Sequence, residues 1–287
     1  MRYLSIFLII ALAFWSTKES RAAQAIPLPP PIVVTYDVYV GGVHLVRADI
    51  LFEKKATKYH TRVQAFTYGF WHKVLPWDTL LESNGRIVKD HFVPIVFHNR
   101  DIWRSKPKVT NLRFTKNGDV TPSFDPPDTD NPNKREIVTA EQRHGSLDPV
   151  TALLQMLGNI AVEDSCAITV PVFDGKRRFD ITGSDQGSDD IDEEDYSAYS
   201  GSARLCNADF KMIAGEWKDR KPTRFWQKSD DETGRDPFQI WLARPKPELP
   251  ELPIVLESSS VLGRIMVHMS GWHYATKEEL AAVVTWK

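Results

Sequence analysis

Between Tyr59 and Tyr68 the chain places Tyr59, Thr61, Val63, Ala65 and Thr67 on one side and His60, Arg62, Gln64 and Phe66 on the other. Side chains alternate across a strand with period two, whereas a helix repeats every 3.6 residues, so this stretch is committed to a sheet. Ile32 to Val40 (IVVTYDVYV) is rich in β-branched and aromatic residues, and Gly41-Gly42 turns it into Val43 to Phe52. Such runs with glycine-containing turns between them predict a meander. Asn84-Gly85 and Asn117-Gly118 read as further hairpin turns, and Asp174-Gly175 as a third joining Ala167–Phe173 to Arg177–Thr182. Strands are also expected over Phe92–His98, Val109–Thr115, Tyr199–Cys206, Phe238–Ala243, Ile254–Ser259 and Arg264–Ser270.

One helix interrupts this pattern. Asp148 can accept from the unpaired amides of a first turn, Pro149 fits the first helical position, and Leu153, Leu154, Leu157 and Ile160 recur at helical spacing. A shorter C-terminal helix is expected from Thr276, where Glu279 completes a capping box, and Trp71 to Trp77 reads as a short helical link. Proline-rich Thr121–Lys134 and acidic Gly183–Asp195 read as loops, and Arg244–Pro253 as an extended connector.

The start of the chain predicts export. Met1-Arg2, an apolar run from Leu4 to Trp15 and an Ala23-Gln24-Ala25 ending have the form of a secretory signal peptide, here residues 1–25. The run is shorter than the roughly 20 residues that span a bilayer, and no transmembrane span is expected in the mature chain. Export gives the 2 cysteines a meaning: in an oxidising compartment Cys166 and Cys206 form a structural disulfide.

Leu147–Leu154 (LDPVTALL), Val172–Phe179 (VFDGKRRF) and Tyr199–Ala203 (YSGSA) with Cys206 resemble a family of exported bacterial proteins defined as a periplasmic domain of unknown function in Gram-negative bacteria. The resemblance runs from about Val33 to Gly271. It implies a periplasmic location and an architecture similar to the curved open barrels of lipoprotein carriers or the β-spiral of envelope-integrity proteins, and it implies no catalytic residues. The expected fold is mainly β: one large antiparallel curved sheet, an open barrel or β-spiral, with a central helix over about 149–162. Residues 26–287 are expected to form a single β-rich domain.

The residues bearing chemistry point away from catalysis. Histidines 44, 60, 72, 91, 98, 144, 268 and 273 are scattered without metal-ligand spacing, and neither a G-x-S-x-G elbow nor a phosphate-binding glycine loop occurs. No metal, cofactor or catalytic residue is expected. The 36 Lys+Arg against 38 Asp+Glu give no basic excess, so no nucleic-acid partner is expected either. The acidic stretch lacks the ligand order of a calcium loop and reads as a solvated segment. Lys176, Arg177 and Arg178 are candidates for contact with an anion, against internal pairing with Asp174 or Asp180. On a strand, Lys176 and Arg178 face one side and Arg177 the other.

Phe66, Tyr68, Phe70, Trp71, His72 and Trp77 are the candidates for a ligand groove. Rings at this density line a lipid- or glycan-binding concavity or fill the core of a curved sheet. The expected function is a non-catalytic cell-envelope protein holding a lipid-like or other apolar ligand. The alternatives are a scaffold that binds another periplasmic protein and an enzyme whose site is assembled across strands.

Overall fold

The structure is a computed structural model that describes residues 30–127, 135–194, 196–218, 237–260 and 262–281. Residues 1–25, expected to be the signal peptide, lie outside the described residues. Thirteen strands form one antiparallel sheet: β1 (Ile32–Val40), β2 (Val43–Lys55), β3 (Lys58–Thr67), β4 (Trp77–Val88), β5 (His91–Trp103), β6 (Lys106–Phe114), β7 (Val120–Asp125), β8 (Ile168–Phe173), β9 (Arg178–Ile191), β10 (Gly201–Ala214), β11 (Phe238–Ala243), β12 (Leu252–Ser260) and β13 (Gly263–Tyr274). Among the described residues four helices accompany it: α1 (Phe70–Val74), α2 (Ala140–Arg143), α3 (Pro149–Glu163) and α4 (Lys277–Ala281). The order across the sheet is β7-β6-β5-β4-β3-β2-β1-β13-β12-β11-β10-β9-β8, so the first and last strands of the chain pair at its centre and β7 and β8 form its edges. The fold is mostly β and the sheet does not close on itself.

The alternation seen in the sequence decides which face is covered. Directly paired residues share a face, which puts Val46, Ala48 and Ile50 of β2 with Thr67, Ala65 and Val63 of β3 and with Thr79, Leu81 and Ser83 of β4. This is the inner face, onto which α3 packs. Near the sheet's edges the core holds Phe97 and Leu112 with Val150 of α3 and Phe173 of β8, bringing opposite margins into one cluster. The turn between β8 and β9 is tucked inside the other margin: a methyl group on Gly175 would lie 2.5 Å from Thr110 Cγ2 of β6. The sheet is therefore a spiral whose margins overlap through side chains.

The helix holding that overlap is the one the sequence marks most clearly. Asp148 Oδ1 accepts from the amides of Val150 and Thr151 at 3.0 and 2.9 Å, and Oδ2 accepts from Ser83 Oγ at 3.0 Å and Thr151 Oγ1 at 2.6 Å. Tyr59 Oη lies 2.7 Å from Thr151 Oγ1. Asp148, Thr151 and Ser83 are all fully buried. Gln155 accepts from the Phe92 amide at 2.9 Å and donates to the Asp90 carbonyl at 3.2 Å, fixing α3 to the start of β5. At the far end Arg204 of β10 bonds the Asp164 carboxylate and carbonyl and, at 3.0 Å, Glu251. The Cys166–Cys206 disulfide, with Cα atoms 6.1 Å apart, spans β9 and packs with Ile160 and Leu242. The C-terminal capping box forms as expected, Thr276 and Glu279 each accepting the other's amide.

Three expectations need correction. Asn84-Gly85 is not a turn but a bulge inside β4. The glycine is there because the Tyr59 ring lies against it; a methyl would sit 2.5 Å from that ring and 2.3 Å from the Val93 carbonyl oxygen. Gly85→Ala should therefore cost about 1–3 kcal/mol by overpacking, read as a lower midpoint of urea unfolding. The acidic stretch is not a loop: Asp185, Asp189 and Asp190 belong to β9, and their low strand propensity is overridden by the long ladder with β10. Asp185 also accepts from the Cys166 amide at 2.9 Å, and Asp189 from Trp241 Nε1 at 3.1 Å. Within the expected loop Thr121–Lys134, residues 121–125 are part of β7, paired to β6; residues 128–134 lie outside the described residues.

Candidate functional site

A concavity of about 570 Å³ opens on the inner face, at the end of the spiral where β3 passes into β4. That volume is within the roughly 300–1,000 Å³ of small-molecule sites. Leu45, Val46, Leu75, Trp77 and Trp103 supply an apolar wall, Thr67 and Asp101 polar points on it, and Lys106 and Lys108 two exposed cations at its side. Register assembles it: Val46 pairs with Thr67, Trp77 with Trp103, Trp103 with Lys106 and Asp101 with Lys108.

Local bonds hold the wall in place. Gly69 takes φ +57°, a left-handed conformation suited to glycine, and turns the chain from β3 into α1. The buried Thr67 hydroxyl then donates to the Leu75 carbonyl at 2.8 Å and accepts from the Trp77 amide at 3.3 Å, drawing the end of α1 over the concavity. Trp77 Nε1 donates to Asp101 Oδ1 at 2.7 Å, which orients the indole and occupies the one carboxylate on the wall. Neither lysine's ammonium group has an ion-pair or hydrogen-bond partner among the described residues. The site thus offers apolar area beside free positive charge, an arrangement suited to an amphiphile with an acidic head.

The six residues singled out in the sequence divide between two faces. Trp77 lines the concavity. Phe70, Trp71 and His72 are on α1 at its edge, with Phe70 68% exposed and His72 Nδ1 3.3 Å from Thr67 Oγ1. Phe66 pairs with Arg47 on the outer face, and Tyr68 stacks there on His44 with ring centroids 4.2 Å apart. The basic trio is engaged within the chain. Arg177 is in the turn before β9 and pairs with Asp174 at 2.7 Å, Arg178 pairs with Asp180 at 2.7 Å, and Lys176 lies 5.4 Å from the Phe124 ring centre.

The outer face carries a second cluster that the sequence did not disclose. The buried Asp37 carboxylate accepts from Arg47 Nε and Nη2 at 2.8 and 3.0 Å, with His44 Nε2 at 3.0 Å. Burial works against its charge, but the Arg47 bonds and His44 hold its pKa below the ordinary carboxylate value. Tyr39, His268 and Tyr196 continue it as a ladder of ring contacts, and burial lowers the pKa of His268. These groups engage one another across the β2–β1–β13 seam and so tie the chain's two ends together. A third grouping, Cys166, Asp185 and Cys206, brings ligand-type atoms within 4.8 Å, but both sulfurs are committed to the disulfide.

The sequence pattern of the DUF3108 family, a protein of unknown function, matches residues 35–270. The chain belongs to that family. All three segments that carry the resemblance lie inside the matched span. A solved structure similar to this DUF3108 member is a beta-barrel-like protein of domain of unknown function DUF1849 from Brucella abortus, 10% identical, with a TM-score of 0.49; the similarity covers 87% of this chain and 100% of that one. No curated protein matches.

Proposed function

We propose that this DUF3108 protein is a non-catalytic component of the bacterial cell envelope that holds an apolar or amphiphilic molecule in the concavity beneath α1. The observation that carries the reading is the joining of Leu45, Leu75, Trp77 and Trp103 into one apolar wall beside unpaired Lys106 and Lys108. A lipid-like molecule with an acidic head satisfies both halves of that surface. Export to the periplasm is part of the proposal. It rests on the signal-type start of the sequence and on a disulfide that an oxidising compartment maintains. Cleavage after Ala25 is checked by the intact mass of protein isolated from the envelope.

The groove itself is tested with a fluorescent long-chain fatty acid in solution, below the concentration at which it forms micelles. Saturable binding is expected. Trp103→Glu places a charge on the apolar wall and should weaken binding by at least about tenfold, the equivalent of losing one large buried side chain. Lys108→Glu should weaken the fatty acid more than its uncharged alcohol. Equal binding by wild type and Trp103→Glu would overturn the assignment.

A further inference from the structure

From the way the exposed apolar side chains are distributed along the sheet, we infer that the rim above the groove docks on an anionic membrane surface. Four consecutive hairpins of the sheet turn at this end: β12–β13, β1–β2, β3–β4 and β5–β6. Each carries an exposed large apolar residue at its tip: Leu262 (63%), Val43 (42%), Phe70 with Val74 (68% and 47%) and Trp103 (46%). The tips form one continuous edge. The Gly41 amide bonds the Arg264 carbonyl at 2.9 Å, the Tyr68 amide that of Leu45 at 2.8 Å, and the Arg104 amide that of Pro76 at 2.9 Å. Phe70 and Val74, four apart on α1, share one side of that short helix.

The opposite end is built differently. Its links Ala56-Thr57, Lys89-Asp90 and Thr115 to Asp119 contain no large apolar residue, and exposed apolar residues at that end, Val88 (52%), Tyr196 (37%) and Tyr274 (45%), stand beside Asp90, Glu194 and Glu248. The described residues of the four apolar links contain no Asp or Glu, while Lys73 and Arg104 lie within them and Lys106 follows. A protein surface seldom lines up exposed apolar tips on four adjacent hairpins with cations and no acid in their links. Aromatic and aliphatic tips inserted at headgroup depth, with cations at phosphate level, are how a peripheral protein binds an acidic bilayer. The charge makes such a bilayer the fitting occupant, in preference to a second copy of the same positive edge.

This goes beyond the groove reading and shares Trp103 and Lys106 with it, so the test uses residues outside the groove wall. The chain as isolated from the envelope is sedimented with vesicles of phosphatidylcholine and phosphatidylglycerol, and with phosphatidylcholine alone. Binding is expected to the acidic vesicles and to decline with salt. The double variant Phe70→Asp, Leu262→Asp should lose it, and Arg104→Glu should reduce it by about fivefold for the cation removed, and further for the charge reversed. Val88→Asp, at the opposite end, should bind as wild type does. Melting curves of the double variant, whose sites are solvent-exposed, verify that it is folded.

Undiminished vesicle binding by the folded double variant would overturn the inference. So would self-association that depends on Phe70 and Leu262 and occurs without vesicles. Fatty-acid binding in solution with no vesicle binding would defeat the docking surface and leave the groove standing; the reverse result would defeat the groove alone.

Discussion

Asp148→Ala is expected to lower the melting temperature by about 10 °C. The substitution removes the N-cap of α3, worth about 1 kcal/mol, and leaves the buried Ser83 and Thr151 hydroxyls without their common acceptor, at about 1–3 kcal/mol more. A total near 3 kcal/mol corresponds to a shift of that size for a chain of this length. Asp148→Asn separates cap from charge, because an amide oxygen still accepts from the Val150 and Thr151 amides. Burial pushes the Asp148 carboxyl above its ordinary value of 3.8, against the downward pull of its hydrogen bonds. A raised native pKa gives stability that is complete below the unfolded pKa and is lost as pH rises through the native one. The wild-type advantage over Asp148→Asn should therefore shrink as pH rises from below 3.8. Parallel stability–pH curves for the two proteins would remove the carboxyl's titration from the account.

Breaking the disulfide is the second large effect. Cys166 and Cys206 close a loop with a sequence separation of 40, and on the chain-entropy account that cross-link is worth about 4 kcal/mol. Cys206→Ser, or reductant added to the wild type, should lower the melting temperature by more than 10 °C. The loss should also be local. Cys166 precedes the edge strand β8, which keeps only β9 as a ladder neighbour, so amide exchange should rise first in β8. A melting temperature indifferent to reductant would contradict the role assigned to the bond.

The period-two runs from Ile32 to Thr67 made β1 to β3 and their hairpin order legible in the sequence. The start of α3 was equally plain, because Asp148-Pro149 is a local chemical instruction. What sequence could not convey is contact that local rules do not encode. Asn84-Gly85 has the composition of a turn, and only the Tyr59 ring from the neighbouring strand explains the glycine. Asp185 to Asp190 have the composition of a loop, yet their backbone is claimed by β10. At the groove, Trp77 was visible as part of an aromatic run, whereas Trp103, Lys106 and Val46 become its neighbours only through register. Asp37 and His268, from the two ends of the chain, meet in the same way by the pairing of β1 with β13.

A barrel closed by hydrogen bonds has a girth that changes in whole steps, since strand number and stagger are integers. Here β7 and β8 are margins without a shared ladder, and they are joined through side-chain clusters to which α3 contributes. Where margins meet through side chains, girth depends on side-chain volume, a quantity that varies by single methylene groups. A change of size at Val150 or Ala152, which pack on Phe173 and on Val170 and Val172 of β8, is expected to alter the width of the spiral before it breaks a rung of the ladder.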